Sequence, residues 1–195
     1  MKKLIYLFCI ISLNCCSQNT SFNFGQKYDN LITELGKENW SKSFDLCKEL
    51  LVFSEDKENY ISENENLRYI YIYTIAGLLN EKKITKDEAL KSVKFLLNKE
   101  LITATHPYLK NTILNATHID DKEKDVFFTC STNKIGTQIF SFEYAKITDG
   151  IKEKEEELEG KQIQIRAKLS EINIEGNMLP RFKIKFSEGQ YRILE

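Results

Sequence analysis

The first half of the chain carries apolar residues at the spacing of amphipathic helices. From Tyr28 and again from Asn39, apolar side chains recur every three or four positions, and Gly36 separates the two runs. This period places them on one face of a helix. The sequence therefore predicts two consecutive helices before the polar stretch SEDKEN at 54–59.

The next segment, LRYIYIYTIAGLLNEK, supports two interpretations. Its three tyrosines, Tyr69, Tyr71 and Tyr73, alternate with isoleucines, which is typical of a strand. A capping box at Ser62–Glu65 precedes them, with Ser at the cap and Glu three residues later. Because the apolar run also has the length of a helix, the sequence favours a buried helix with tyrosines on its flanks.

Two more helices are predicted before the pattern changes. Thr85–Glu88 is a second capping box, and it precedes an apolar stripe at Leu90, Val93 and Leu97. Pro107 suits the first turn of a helix, where its missing N–H would have no partner. A last helix is therefore predicted from 107 to about 116.

After His118 the apolar period changes to two, which predicts strands. Segments 126–130 and 138–144 flank a Gly-containing hairpin loop. The charged segment 151–159 is predicted to be a connector or a short helix with a solvated surface. The alternation in QIQIRAKL reverses its parity near Ser170-Glu171, which predicts a β-bulge. Further strands are predicted at 181–186 and in the terminal YRIL.

The predicted fold class is α+β, with antiparallel helical hairpins followed by an antiparallel β meander or an OB-like partial barrel. The chain is divided into a signal peptide, a polar tether, a helical-hairpin domain and a β-rich domain, at 1–16, 17–27, 28–119 and 125–195.

Two resemblances accompany this prediction. The stretch LEGKQIQIRAKLSEI resembles the opening of an OB-fold barrel, which implies a strand face that binds oligonucleotides or oligosaccharides. An ordinary meander explains the same residues equally well. Trp40, Ala76, Gly77 and Ala89 resemble positions of tetratricopeptide-type helical hairpins, and this resemblance implies architecture only.

The N-terminus has the layout of an export signal. Lys2 and Lys3 precede an apolar run at 4–13, which is too short for a transmembrane helix. Leu13 to Cys16 resembles a bacterial lipoprotein signal, which implies lipidation of Cys16 and a lipid-anchored place in the cell envelope, at a membrane face or in the periplasm. Processing at Cys15, or ordinary cleavage after Ser17, remains the alternative.

Composition gives no general attraction to nucleic acid, because the 28 basic and 29 acidic residues nearly balance. Basic residues do accumulate on the predicted C-terminal strands, where they could bind a polyanion such as an acidic glycan. A solvated face that protects an edge strand is the favoured interpretation. The candidate residues are Arg166, Lys168, Arg181, Lys183 and Lys185.

Other candidate chemistry is sparse. Cys47 and Cys130 could form a disulfide in an oxidising envelope, but two buried thiols are favoured because both lie on apolar faces. His106 and His118 are not at the spacing of a helical metal site, and the sequence has no nucleophile elbow, phosphate loop or dinucleotide motif. We therefore expect neither catalysis nor a metal nor a cofactor.

The sequence thus predicts a non-catalytic envelope lipoprotein that binds another envelope protein, through the groove between its halves or the basic β face. The alternative is an OB-like module that binds an acidic polymer, glycan or nucleic acid, through that face.

Overall fold

The computed structural model describes residues 22–112, 114–137 and 139–194. The predicted signal peptide and Cys16 lie outside these residues. Four helices come first, followed by a sheet into which a short helix is inserted. The first four helices are α1 (Phe24–Gly36), α2 (Trp40–Ser54), α3 (Ile61–Asn80) and α4 (Lys86–Val93).

Helices α1 and α2 form the predicted antiparallel hairpin. The first of them begins at Phe24 rather than Tyr28, because the Asn23 side chain caps it by accepting a hydrogen bond from Gln26 N at 3.0 Å. The predicted tether at 17–27 therefore includes the first turn of α1. Phe22 stacks on Phe53 with ring centroids 4.0 Å apart, which holds the start of α1 beside the end of α2.

The segment with alternating tyrosines is helical, as favoured. Helix α3 is apolar on nearly all sides because α2 covers one side and the sheet covers another. Its approach to α2 depends on Gly77, where a Cβ atom would come within 2.1 Å of the Trp40 ring. The predicted Ser62–Glu65 capping box is wrong, because α3 already begins at Ile61 and has no side-chain cap.

The second capping box is confirmed. Thr85 N donates to Glu88 Oε2 at 2.8 Å, and Glu88 N donates to Thr85 Oγ1 at 3.3 Å. The stripe that follows is shorter than predicted, since α4 ends at Val93 and a 3-10 turn covers Lys94–Leu96.

The predicted helix at 107–116 is wrong. His106 and Pro107 pair with the sheet, opposite Ile163 and Gln162. Asn115 takes a left-handed backbone with φ of 53° and donates its N–H to Cys130 O at 2.7 Å. The pairing of this segment with the sheet supplies the hydrogen bonds that a short helix would otherwise provide. Pro107 therefore lies in a strand.

The sheet has seven strands within the described residues. The elements are β1 (Glu100–Ile102), β2 (His106–Pro107), β3 (Thr117–Ile119), β4 (Val126–Thr129), β5 (Phe140–Ile147), α5 (Glu155–Leu158), β6 (Gln162–Glu175) and β7 (Arg181–Leu194). The strand order is β1-β6-β7-β5-β4-β3, and β2 pairs with β6. All neighbouring pairs are antiparallel except β5 and β7, so the sheet is mixed and the α+β class is confirmed.

Two details of the sheet bear on its shape. An isolated bridge joins Tyr108 to Thr117, so the segment after β2 contacts β3. The register of β6 shifts between Leu169 and Glu171, which confirms the predicted bulge. The terminal YRIL is the end of β7 rather than a separate strand.

Helices and sheet share one hydrophobic core. Tyr69 and Tyr73 of α3 lie 6.0 and 5.7 Å from the Phe140 ring of β5, measured between centroids. Strands β1 to β3 fall inside the predicted helical domain, yet they pair with β6 and β4. Residues 28–119 and 125–195 are therefore joined by both strand pairing and packing.

A candidate binding groove between the helices and the sheet

A cavity of about 370 Å³ opens between α1, α3, β2 and the segments that follow β1, β2 and β4. We call it the junction cavity. Its described lining contains no Lys, Arg, Asp or Glu side chain. The lining residues are Ile32, Leu35, Asn66, Tyr69, Ile70, Tyr73, Ala104, His106, Asn115, Ser131 and Thr132.

The apolar wall follows from the helical period of α1. Neighbouring positions of a helix point about 100° apart. The apolar residues of α1 therefore contact two surfaces, the hydrophobic core and the cavity. Leu31 is fully buried in the core, whereas Ile32 remains 47% exposed at the rim of the cavity. Leu35, three residues later, continues the wall on the same side.

The floor of the cavity is polar. Ser131 Oγ lies 3.4 Å from His106 Nε2, which is long for a hydrogen bond. Burial lowers the pKa of His106, and a hydrogen bond to the Asn115 backbone only partly opposes this shift. The imidazole is therefore neutral at pH 7, and one of its ring nitrogens can accept a hydrogen bond.

Behind this floor lies a buried carboxyl group. Glu143 is 3% exposed, and burial raises its pKa to about 7, although the hydrogen bond that Glu143 Oε2 accepts from Thr129 Oγ1 opposes the shift. The Tyr69 hydroxyl lies beside Glu143 and Ser131. Within the described residues, neither that hydroxyl nor Glu143 Oε1 makes a hydrogen bond of good geometry.

These groups form a polar series that runs from the core to the cavity: Glu143, Tyr69, Ser131 and His106. Of these four residues, only His106 was considered from the sequence, and it was assigned to no site. Ser131 lay in what was predicted to be a hairpin loop, and the alternation of α3 gave no sign that Tyr69 would meet a carboxyl group. A carboxylate at a buried strand position, such as Glu143 after two phenylalanines, was the one available signal.

The cavity continues into a second depression of about 520 Å³. The two share four lining residues, and the second extends to Glu38 and to Lys134 in the loop between β4 and β5. Ile135 in this loop is 85% exposed. We call the two depressions together the junction groove. The shared residues are Leu35, Tyr73, Asn115 and Thr132.

The predicted polyanion site lies on the outer face of the β6–β7 hairpin, and carboxylates occupy that face as well. Three of its lysines pair with glutamates of the same hairpin, and Arg181 lies opposite Glu175 in the strand register. The pairs are Lys168–Glu188 at 3.1 Å, Lys183–Glu175 at 3.1 Å and Lys185–Glu171 at 2.7 Å.

Arg166 has a different role from the lysines. Its guanidinium pairs with Glu65, a buried residue of α3, and with Glu100 of β1 at 2.9 Å. The α3 helix is thereby tied to the outer strands of the sheet. These five basic side chains thus do not form a continuous positive surface.

The remaining candidate residues, the two cysteines and His118, lie at separate places in the structure. Cys47 and Cys130 are both buried free thiols, as favoured. His118 stacks on Phe128 at 5.1 Å, and its Nε2 contacts Thr112 O at 2.5 Å. In residues 22–112, 114–137 and 139–194, no group of three or more His, Cys, Asp or Glu side chains is arranged to hold a metal ion.

None of the helices described here is both long and apolar enough to span a bilayer. Comparison of the chain with known protein families, curated proteins and solved structures gave no match.

Proposed function

We propose that the protein is a non-catalytic, lipid-anchored binding protein of the bacterial cell envelope, and that the junction groove receives an extended segment of another envelope protein. The groove itself carries this proposal. The junction cavity has an apolar wall and no carboxylate or cation in its described lining, whereas Glu38 and Lys134 line the second depression. Ile32 lines the cavity, Ile135 lies between the lining residues Lys134 and Gly136, and both isoleucines are exposed. Concave apolar surfaces with exposed rims are typical of binding sites.

The position of the groove is compatible with an anchor at Cys16. Phe22 lies six positions after Cys16, and an extended chain of that length spans at most roughly 22 Å. Since Phe22 stacks on Phe53, the membrane would lie near this end of the α1–α2 hairpin. At about 1.5 Å per helical residue, Ile32 and Leu35 lie roughly 12 and 16 Å further along α1 than Phe24. The groove would therefore stay clear of the bilayer and within reach of neighbouring proteins.

The anchor is tested by fatty-acid labelling in the native host. We expect label in the wild type and in Cys15→Ser, and none in Cys16→Ser. Label lost in Cys15→Ser alone would move the anchor to Cys15, and an unlabelled wild type would refute the lipoprotein assignment.

Docking is tested by photo-cross-linking in the same host. A photoreactive residue at Ile32 or Ile135 should give one discrete cross-linked envelope protein, which mass spectrometry can identify. Val52 on α2 is the matched control, because it is 71% exposed but lies outside the groove. Equal products from all three positions, or products from Val52 alone, would contradict docking in the groove.

No observation favours the polymer-binding alternative. Four of its five proposed residues are in ion pairs with carboxylates, and a polyanion would have to displace those carboxylates before it could bind.

A further inference from the structure

We infer that the junction cavity binds a phenolic group, a planar ring with a hydroxyl, such as the tyrosine side chain of a partner segment. This inference rests on the proposed function, because it names the group that the segment inserts. Three features carry it: the apolar wall, the polar floor and the absence of charge from the described lining.

The wall fits the body of an aromatic ring. At about 370 Å³, the cavity is at the lower end of the roughly 300–1,000 Å³ range of small-molecule sites. Ile70 and Tyr73 of α3 form one side, and Leu35 of α1 forms another. Apolar and aromatic side chains on two sides of the cavity favour a flat apolar group over an extended polar one.

The floor fits a hydroxyl. A hydroxyl can donate one hydrogen bond and accept others. The neutral His106 ring offers an acceptor nitrogen, and Ser131 Oγ, 3.4 Å away, offers a donor. A guest hydroxyl between the two would replace one long hydrogen bond with two shorter ones. A purely apolar guest would leave that pair as it is and gain only the wall contacts.

Charged guests fit less well. A carboxylate would find no Lys or Arg in the described lining, and it would approach Glu143 behind the floor. An ammonium group would find no carboxylate at the surface of the cavity, because Glu143 is covered by Tyr69 and Ser131. Burial of either ion without a partner is costly.

The test compares p-cresol with toluene, which differ by one hydroxyl, on the whole mature chain by NMR titration. We expect p-cresol to bind roughly three- to tenfold more tightly, the gain typical of one or two net hydrogen bonds. Ser131→Ala should remove most of this preference and leave toluene affinity unchanged. Ser170→Ala, an exposed serine of β6, is the matched control and should keep the preference.

A second readout remains valid if Ser131→Ala fails to fold. Addition of p-cresol to the wild type should shift the imidazole ¹⁵N resonances of His106 and leave those of His118 unchanged. Equal affinity for p-cresol and toluene, no binding of either, or a preference that survives in Ser131→Ala would each overturn the inference. So would equal shifts at both histidines.

The two proposals fail separately. Cross-links from Ile32 and Ile135 without p-cresol binding would retain docking in the groove and refute the phenolic guest. Binding of p-cresol without cross-links would retain the chemistry of the cavity and refute the envelope partner.

Discussion

The outer face of the β6–β7 hairpin and the junction groove differ in how completely their polar side chains are paired through salt bridges or hydrogen bonds. The hairpin face has a high density of charge, yet Lys168, Lys183 and Lys185 each have a carboxylate within 3.1 Å. The junction cavity of the groove has no charged side chain in its described lining, yet the Tyr69 hydroxyl behind it lacks a well-formed hydrogen bond among the described residues. The comparison teaches that a high density of charge is not the same as unmet bonding capacity, and this difference is why we propose the groove rather than the hairpin face as the binding site.

The difference has a structural cause. On the hairpin, the bulge after Leu169 brings Glu171 and Glu175 onto the same face as the lysines of β7, so strand register alone supplies the partners. In the groove, α3 packs against the sheet. The polar groups there come from α3, β2, β5 and the connection between β4 and β5, and no shared register aligns them.

The largest expected effect concerns Glu143. Its pKa is raised from 4.5 to about 7 in the folded protein, so the unfolded chain loses this proton at lower pH than the folded one. Its contribution to stability is therefore complete below about pH 4.5 and is lost as the pH rises through 7, at a cost on the order of 3 kcal/mol. Glu143→Gln should reduce this loss, which urea unfolding at pH 5 and pH 8 can measure.

Glu188→Gln is the matched control for this prediction, because Glu188 is an exposed carboxyl of β7. It should leave the difference between the two pH values unchanged. Burial lowers the pKa of His106, so this residue reduces the stability of the folded protein as the pH falls, opposite to Glu143. The effect of His106 is present in every variant. Equal pH dependence in Glu143→Gln and the wild type would refute the buried-carboxyl argument.

Much of the fold was predictable, because local signals decide it. The Thr85–Glu88 box, the alternation of β6 and the bulge at its middle depend on residues close together in sequence. The Ser62–Glu65 box and the helix at Pro107 failed for the opposite reason. In both places tertiary contacts override a local signal: α3 begins earlier, and His106 pairs with Ile163 across the sheet.

The site was much less predictable. Ser131 and His106 are 25 positions apart, and Tyr69 and Glu143 are separated by 74, so no motif spacing relates them. The basic residues of β6 and β7 were placed correctly on the outer face, but their ionic partners could not be deduced from alternation alone. Glu65, which pairs with Arg166, lies 101 positions away in a helix.

A smaller effect is expected at Arg166, which pairs with the buried carboxylate of Glu65. Arg166→Met leaves Glu65 buried without its cation. Loss of one partner of a fully buried pair costs roughly 3–5 kcal/mol, and we expect about 2 kcal/mol because the Arg166 side chain is 47% exposed. Urea unfolding at pH 7 measures this change.

Two variants sharpen the result at Arg166. The double variant Arg166→Met, Glu65→Gln should recover most of the lost stability, since no buried charge remains. Lys168→Met, whose partner Glu188 is exposed, should change the free energy of unfolding by less than about 1 kcal/mol. If Arg166→Met and Lys168→Met had equal effects, Arg166 would belong with the surface lysines and the proposed tie between α3 and the sheet would be wrong.

The smallest effect is expected at Lys183 and Lys185, and it decides between the two regions as binding sites. Their ion pairs are exposed, so the double reversal to Glu should alter stability by no more than about 1 kcal/mol. Because Glu175 and Glu171 already neutralise these lysines, the wild type should bind heparin and single-stranded DNA only weakly, and the reversal should change that affinity less than threefold. Affinity is best compared at about 50 and 200 mM salt, a range over which a protein with several phosphate contacts loses orders of magnitude. A steep salt dependence that disappears in the variant would mean that a polyanion displaces the carboxylates, and the hairpin face would then replace the groove as the functional site.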